Sequence, residues 1–195
     1  MTPTSELLLS AQTIIYGFAV ARLLHGAPGI FTLKKSSVLV IIVWITCCLH
    51  VALNLWTITN IFEQRLDFFD FLLLFVYAGV AYFMCDTLTP HNSENIESVT
   101  DHFTSIRKRY WLCHISLCIN MIFIFEYTAR SRNVVTEEKI LLFYVVVIIP
   151  WMLISIFGLY AKTKNLQLIA VSIQLFLYLF NTFFVFLESS SIVGK

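Results

Sequence analysis

His50 and Asn54 stand four residues apart inside one long apolar run, with Cys47 three residues before the histidine. At helical spacing these groups share a face. An imidazole and a carboxamide on one face can hold a polar ligand, or line a path for one. Uncharged polar groups recur in the other apolar runs as Gln12, Asn120, Gln174 and Asn181. Asp70, Glu126 and Glu188 lie near run ends. Polar groups at membrane depth are costly, so each reads as a functional candidate by default. The reading that follows is a ligand-binding pocket or vestibule built from Gln12, His50, Asn54, Asp70 and Asn181. Separate interhelical hydrogen bonds, each worth roughly 0.6 kcal/mol, would account for the same residues.

Other chemistry fits less well. A bis-histidine haem needs two imidazoles at one depth. His50 lies roughly 21 Å from the cytoplasmic start of its run, at 1.5 Å per residue. His114 lies near the cytoplasmic start of its own, about three helical turns away in depth. Cys113, His114 and Cys118 are soft ligands, but only His114 and Cys118 share a face. Two ligands leave zinc or copper short of its usual set. The chain carries no H-E-x-x-H, G-x-S-x-G or P-loop pattern. No cofactor and no metal are therefore expected. Asp67 and Asp70 could bind a cation, but they read better as helix caps. Arg107, Lys108 and Arg109 form the one basic cluster and suit anionic lipid headgroups.

The elements that position these residues are apolar runs of bilayer length. A transmembrane helix needs about 20 apolar residues. Six runs qualify: Leu7–Leu24, Ser36–Trp56, Phe68–Cys85, Tyr110–Tyr127, Ile140–Tyr160 and Leu166–Leu187. They fill most of a 195-residue chain that is 58% hydrophobic and 13% charged. A soluble domain carries about 25% charged residues, so a lipid environment is the better fit. The net charge of +1 argues against a nucleic-acid partner. The five cysteines all fall inside apolar runs and read as small hydrophobes, not as a disulfide framework. The fold class expected is all-α: a single transmembrane domain over 1–195, a bundle of six helices. Ile96, Val99, Phe103, Ile106 and Tyr110 fall on one helical face and predict a short amphipathic helix at the interface before the fourth span.

His25–Lys35, with Gly26, Pro28 and Gly29, reads as a turn-rich loop. Pro150 predicts a kink in the fifth span. Thr13, Gly17 and Ala21 form a small-residue stripe suited to close packing within the bundle. Trp56, Trp111, Tyr110, Tyr127 and Tyr160 sit at span ends, as an aromatic belt would. Lysines and arginines favour the loops after spans one, three and five, through Arg22, Lys34, Lys35, Arg107, Lys108, Arg109, Lys162 and Lys164. Arg65, Arg130, Arg132, Lys139 and Lys195 lie opposite. The excess places both termini outside the cytoplasm.

The stretch from Glu6 through Gly17 and Arg22 to Leu24, Asp67-Phe-Phe-Asp70-Phe-Leu, the span end from Asp86 to Pro90, and Asp101-His-Phe with Arg107 and Arg109 carry a resemblance. In these the chain resembles a family of small, uncharacterised bacterial multi-pass inner-membrane proteins. The resemblance covers about the first two thirds of the chain. It implies a bacterial inner-membrane location and roughly this topology, but no activity and no site.

Three function classes stay open at this point. The first is a small-solute or ion permeation or ligand-binding bundle, with its polar pocket in the outer half of the membrane. The second is a membrane subunit of a multi-protein stress or phage-defence system with a soluble partner. The third is a membrane redox or enzyme component. Beyond the lipid bilayer, a homo-oligomer is a further partner to consider.

Overall fold

The computed structural model describes residues 3–32, 38–61, 67–89, 99–132 and 137–193. All regular structure among them is helical: α1 (Pro3–Thr32), α2 (Val38–Ile61), α3 (Phe68–Leu88), α4 (Val99–Arg132), α5 (Glu137–Phe143), α6 (Ile149–Tyr160) and α7 (Lys164–Val193). A π-helical turn, Tyr144–Ile148, joins α5 to α6 in one column. Among the described residues, five stretches are long and apolar enough to cross a membrane: Val38–Leu55, Phe68–Leu88, His102–Tyr127, Leu141–Tyr160 and Lys164–Phe183.

The columns close into a ring. α1 packs on α3, α3 on α4, α4 on α6, α6 on α7, α7 on α2, and α2 back on α1. Each column turns at least one buried side chain of mixed polarity to the interior, among them Tyr16, His50, Tyr77, His114, Trp151 and Tyr178. Leucine, isoleucine and phenylalanine cover much of the outside, with Phe18, Phe83, Leu153 and Phe183 each more than 60% exposed. That inversion suits an apolar solvent, where the outer surface need not be hidden.

Local chemistry sets the helix ends. Asp67 caps α3 by accepting from the backbone N–H groups of Phe69 and Asp70, at 2.8 and 2.9 Å. The Asp70 carboxylate accepts in return from the Asp67 N–H, 3.1 Å away. This is a reciprocal capping box made from two aspartates. At Pro150 the helix widens in place of a simple kink. The proline lacks an N–H and its ring crowds the carbonyl four residues back. The π turn just before it absorbs that conflict, and Ile149 donates to the Tyr144 carbonyl across five residues.

Several expectations are corrected. α4 runs unbroken from Val99, so Phe103, Ile106 and Tyr110 belong to the same helix as the fourth span and do not form a separate short one. Ile96 lies outside the described residues, as do Lys34, Lys35, Arg65 and Lys195. The loop expected from His25 is helical to Thr32, with Pro28 inside the helix. Gly26 serves close approach and makes no turn there: a Cβ added to it would come within 2.9 Å of the Thr89 side chain. Thr13, Gly17 and Ala21 all face outward, and nothing lies within 4 Å of where a Cβ on Gly17 would stand. The stripe therefore does not pack within the ring. Tyr110 and Trp111 are fully buried, so they belong to the core and not to a belt; Tyr160 is exposed.

A hydrogen-bonded clamp fastens α4 to α6 and α7. Trp111 Nε1 donates to Gln167 Oε1 at 2.8 Å. Gln167 Nε2 donates to the carbonyls of Gly158 and Ala161, at 2.6 and 2.7 Å. These are end-of-helix carbonyls of α6 that lack helical partners. Gly158 makes room, because a Cβ there would coincide with the Trp111 indole. Gly158→Ala is expected to lower stability by about 1–3 kcal/mol through overpacking. Gly79→Ala, with open space at its Cβ position, is expected to leave stability level or slightly raised, since alanine is the better helix former. Thermal unfolding of both variants in mild detergent checks this, and equal shifts would refute it.

Candidate functional site

A buried chain of hydrogen bonds crosses the ring. Ser155 Oγ donates to the Trp151 carbonyl at 2.6 Å, four residues back on α6. A hydroxyl has one proton, so Ser155 can only accept from His114 Nδ1, also 2.6 Å away. His114 is thereby fixed as the Nδ1–H tautomer. Its Nε2 faces the Tyr178 hydroxyl at 3.4 Å. That hydroxyl also makes a close hydrogen bond to His50 Nδ1. The chain thus runs from α2 through α7 and α4 to α6, and all four side chains are buried.

Ring contacts hold these groups in place. His50 stacks on Tyr77 at 5.8 Å between centroids and meets Tyr178 edge-on at 5.5 Å. Trp151 packs against Tyr178 at 4.4 Å and His114 at 5.6 Å. Tyr110 donates to Gln174 Oε1 at 2.8 Å. The Cys47 thiol lies beside both Cys85 and the Tyr110 hydroxyl. Cys118 Sγ stands 3.9 Å from His114 Nδ1. All five cysteines are free thiols. Among the described residues no three of His, Cys, Asp or Glu converge as metal ligands would.

Polar atoms are left over inside this ring. Gln12 is fully buried, and neither its amide oxygen nor its nitrogen has a hydrogen-bond partner. The same holds for the Tyr16 hydroxyl one turn on, for His50 Nε2 and for Gln174 Nε2. A buried group without a partner costs about 1–3 kcal/mol. Five such atoms on one interior are a sizeable cost.

The sequence-derived candidates divide. His50 and Gln12 face the interior as buried groups. Asn54 Nδ2 donates to the His50 carbonyl at 2.6 Å, and its side chain also reaches Tyr77. Asp70 is committed to the α3 cap. Asn181 is half-buried, with its Nδ2 lacking a partner. Lys108 and Arg109 are exposed, while Arg107 is half-buried and donates to the Thr104 carbonyl at 3.0 Å.

The three-turn offset between His50 and His114 is corrected: both rings reach one tyrosine hydroxyl. The basic cluster reads as a span boundary, yet α4 passes straight through it. His114 is therefore well inside its helix. Tyr16, Tyr77, Ser155 and Tyr178 were not among the sequence candidates. Their signal was mid-span position, since a buried phenol normally finds a hydrogen-bond partner. No protein-family model, no curated protein and no solved structure matches this chain.

Tyr178→Phe would strip both imidazoles of their shared partner. It is expected to cost about 1–3 kcal/mol of stability. Tyr82→Phe is the control, since no hydrogen bond ties that half-buried tyrosine into the chain. Equal denaturation midpoints for the two variants would remove the hydroxyl bridge from this account.

Proposed function

We propose that this chain is a six-span protein of a bacterial inner membrane that binds or conducts a small solute inside its helix ring. In this reading α1 is the sixth span. It has 30 residues, or about 45 Å at 1.5 Å per residue. Its Arg22 is neutralised by Asp86, with 2.6 Å between Nε and Oδ1. Both termini lie outside the cytoplasm, with Lys108 and Arg109 set toward lipid headgroups on the inner leaflet.

One observation carries the functional reading: the unpaired buried polar atoms of Gln12, Tyr16, His50 and Gln174 on the interior of a closed ring. Packing alone would favour leucine or phenylalanine at such positions. A solute can complete their hydrogen bonds. Proton conduction is the weaker use of the same residues. The chain from His50 ends on the Trp151 carbonyl, which has no proton to pass on. Its effect is to fix the tautomer and ring plane of the histidines.

Proteoliposomes of the full chain are expected to take up at least one solute, from a panel of ions, polyols and amides, faster than empty vesicles. Failing flux, one member of the panel is expected to raise the unfolding temperature. His50→Ala is expected to abolish either response. A wild-type chain inert in both assays would defeat the reading. For the topology, Lys108→Cys in intact cells is expected to react with a membrane-impermeant maleimide only after permeabilisation. Labelling without permeabilisation would invert it.

A further inference from the structure

The unpaired atoms also differ in what they can offer. Gln12 presents a free carboxamide with two donor hydrogens and an acceptor oxygen. Tyr16, four residues later on the same face of α1, can donate and accept. Gln174 has its oxygen occupied by Tyr110, so only its NH2 remains to donate. His50 Nε2 depends on the buried chain. Where Tyr178 donates to His114 Nε2, it must accept from His50 Nδ1–H, and His50 Nε2 is then a bare lone pair. That arrangement satisfies every hydrogen bond between Trp151 and His50 with neutral groups.

These groups border one region. Tyr16 lies within electrostatic reach of Tyr77 and Cys85. His50 stacks on the same Tyr77. Tyr110, which orients Gln174, touches Cys47, and Cys47 lies beside Cys85. Tyr77, Cys47 and Cys85 thus link Tyr16, His50 and the Tyr110 that orients Gln174, and Gln12 lies one helical turn from Tyr16. Charge is missing from this region. Among the buried described residues the sole carboxylate or cationic side chain is Asp70, and its carboxylate serves the α3 cap. An ion placed here would exchange its water shell for neutral dipoles in an apolar medium, at high cost. A neutral molecule carrying both donors and acceptors matches the hydrogen-bonding character of these unpaired atoms.

We infer that Gln12, Tyr16, His50 and Gln174 form a recognition site for a small uncharged molecule bearing both hydrogen-bond donors and acceptors, of the amide, urea or polyol type, and not for an ion. This rests on the proposed solute-binding reading and narrows it. Gln12 is the selective element, because its free amide can match an amide or diol in two places. His50 Nε2 contributes the acceptor where Tyr178 gives its proton to His114.

The test uses the full chain in lipid nanodiscs with 15N-labelled histidine. Formamide, urea and glycerol are titrated one at a time, and potassium chloride and methylammonium chloride separately. The expected result is a saturable change in the His50 Nε2 resonance with at least one neutral probe and none with either salt. Gln12→Leu keeps roughly the size of the side chain but removes two unpaired atoms. It is expected to raise the unfolding temperature and to weaken the neutral-probe response at least tenfold. If Gln12→Leu does not fold, Tyr16→Phe serves, with the same weakening expected. A response to salts alone would overturn the neutral-ligand assignment while leaving solute binding intact. Silence toward every probe overturns this site even where proteoliposomes show flux. An undiminished response in the variants would remove α1 from the site.

Discussion

The hydrogen bond from Ser155 to the Trp151 carbonyl decides the direction of the bond that Ser155 shares with His114. It uses the only hydroxyl proton, so Ser155 must accept from His114. His114 must then present a lone pair to Tyr178, and Tyr178 can donate to it while accepting from His50. One local choice on α6 thus sets the tautomer of an imidazole on α4, which offers its lone pair to a hydroxyl shared with His50 on α2. Such ordering is strong in this setting because an apolar interior strengthens each paired bond and penalises each missing one.

The ring itself depends on fitting bulky side chains between columns. The Trp111 indole occupies the space that a side chain at Gly158 would need, and Gln167 ties that indole to the exposed carbonyls ending α6. Four polar groups are satisfied at one point, at the turn between α6 and α7. Higher in the ring the accounting is different. Gln12, Tyr16 and Gln174 keep polar atoms without protein partners. The contrast between the satisfied Trp111–Gln167 clamp and the unpaired atoms of Gln12, Tyr16 and Gln174 separates a structural contact from groups that can act.

The sequence revealed the helices and their caps more readily than the contacts among them. Apolar runs of bilayer length follow from composition, and the aspartate pair at Asp67 and Asp70 is readable because capping is local. The break near Pro150 was also foreseeable, although the wide turn that accommodates it was not. Depth was misread where charge stood in for a boundary: Arg107, Lys108 and Arg109 suggest a start, but backbone hydrogen bonding carries α4 through them. Gly26 was misread because a glycine needed for close approach and a glycine needed for a turn look alike in sequence. The interior partners of His50 were invisible for a different reason. Tyr178 and Ser155 lie 128 and 105 positions away in the chain, and only the ring order of the helices brings them together.

The bonds that tie α1 to its neighbours are unevenly distributed. Arg22 pairs with Asp86, the Leu23 carbonyl accepts from Trp44, and Thr89 bonds the Arg22 carbonyl beside Gly26. Toward the other end, Ser10 and Thr13 bond only within their own helix, and Gln12 not at all. The work of parting α1 from the ring therefore varies along its length. Near Arg22 it means breaking an ion pair and directed hydrogen bonds. Near Ser10, Gln12 and Thr13 it means giving up dispersion contacts, which fall off gradually and re-form without a geometric requirement. Parting α1 at Gln12 would bring its unpaired amide, and the Tyr16 hydroxyl one turn on, toward whatever surrounds the molecule.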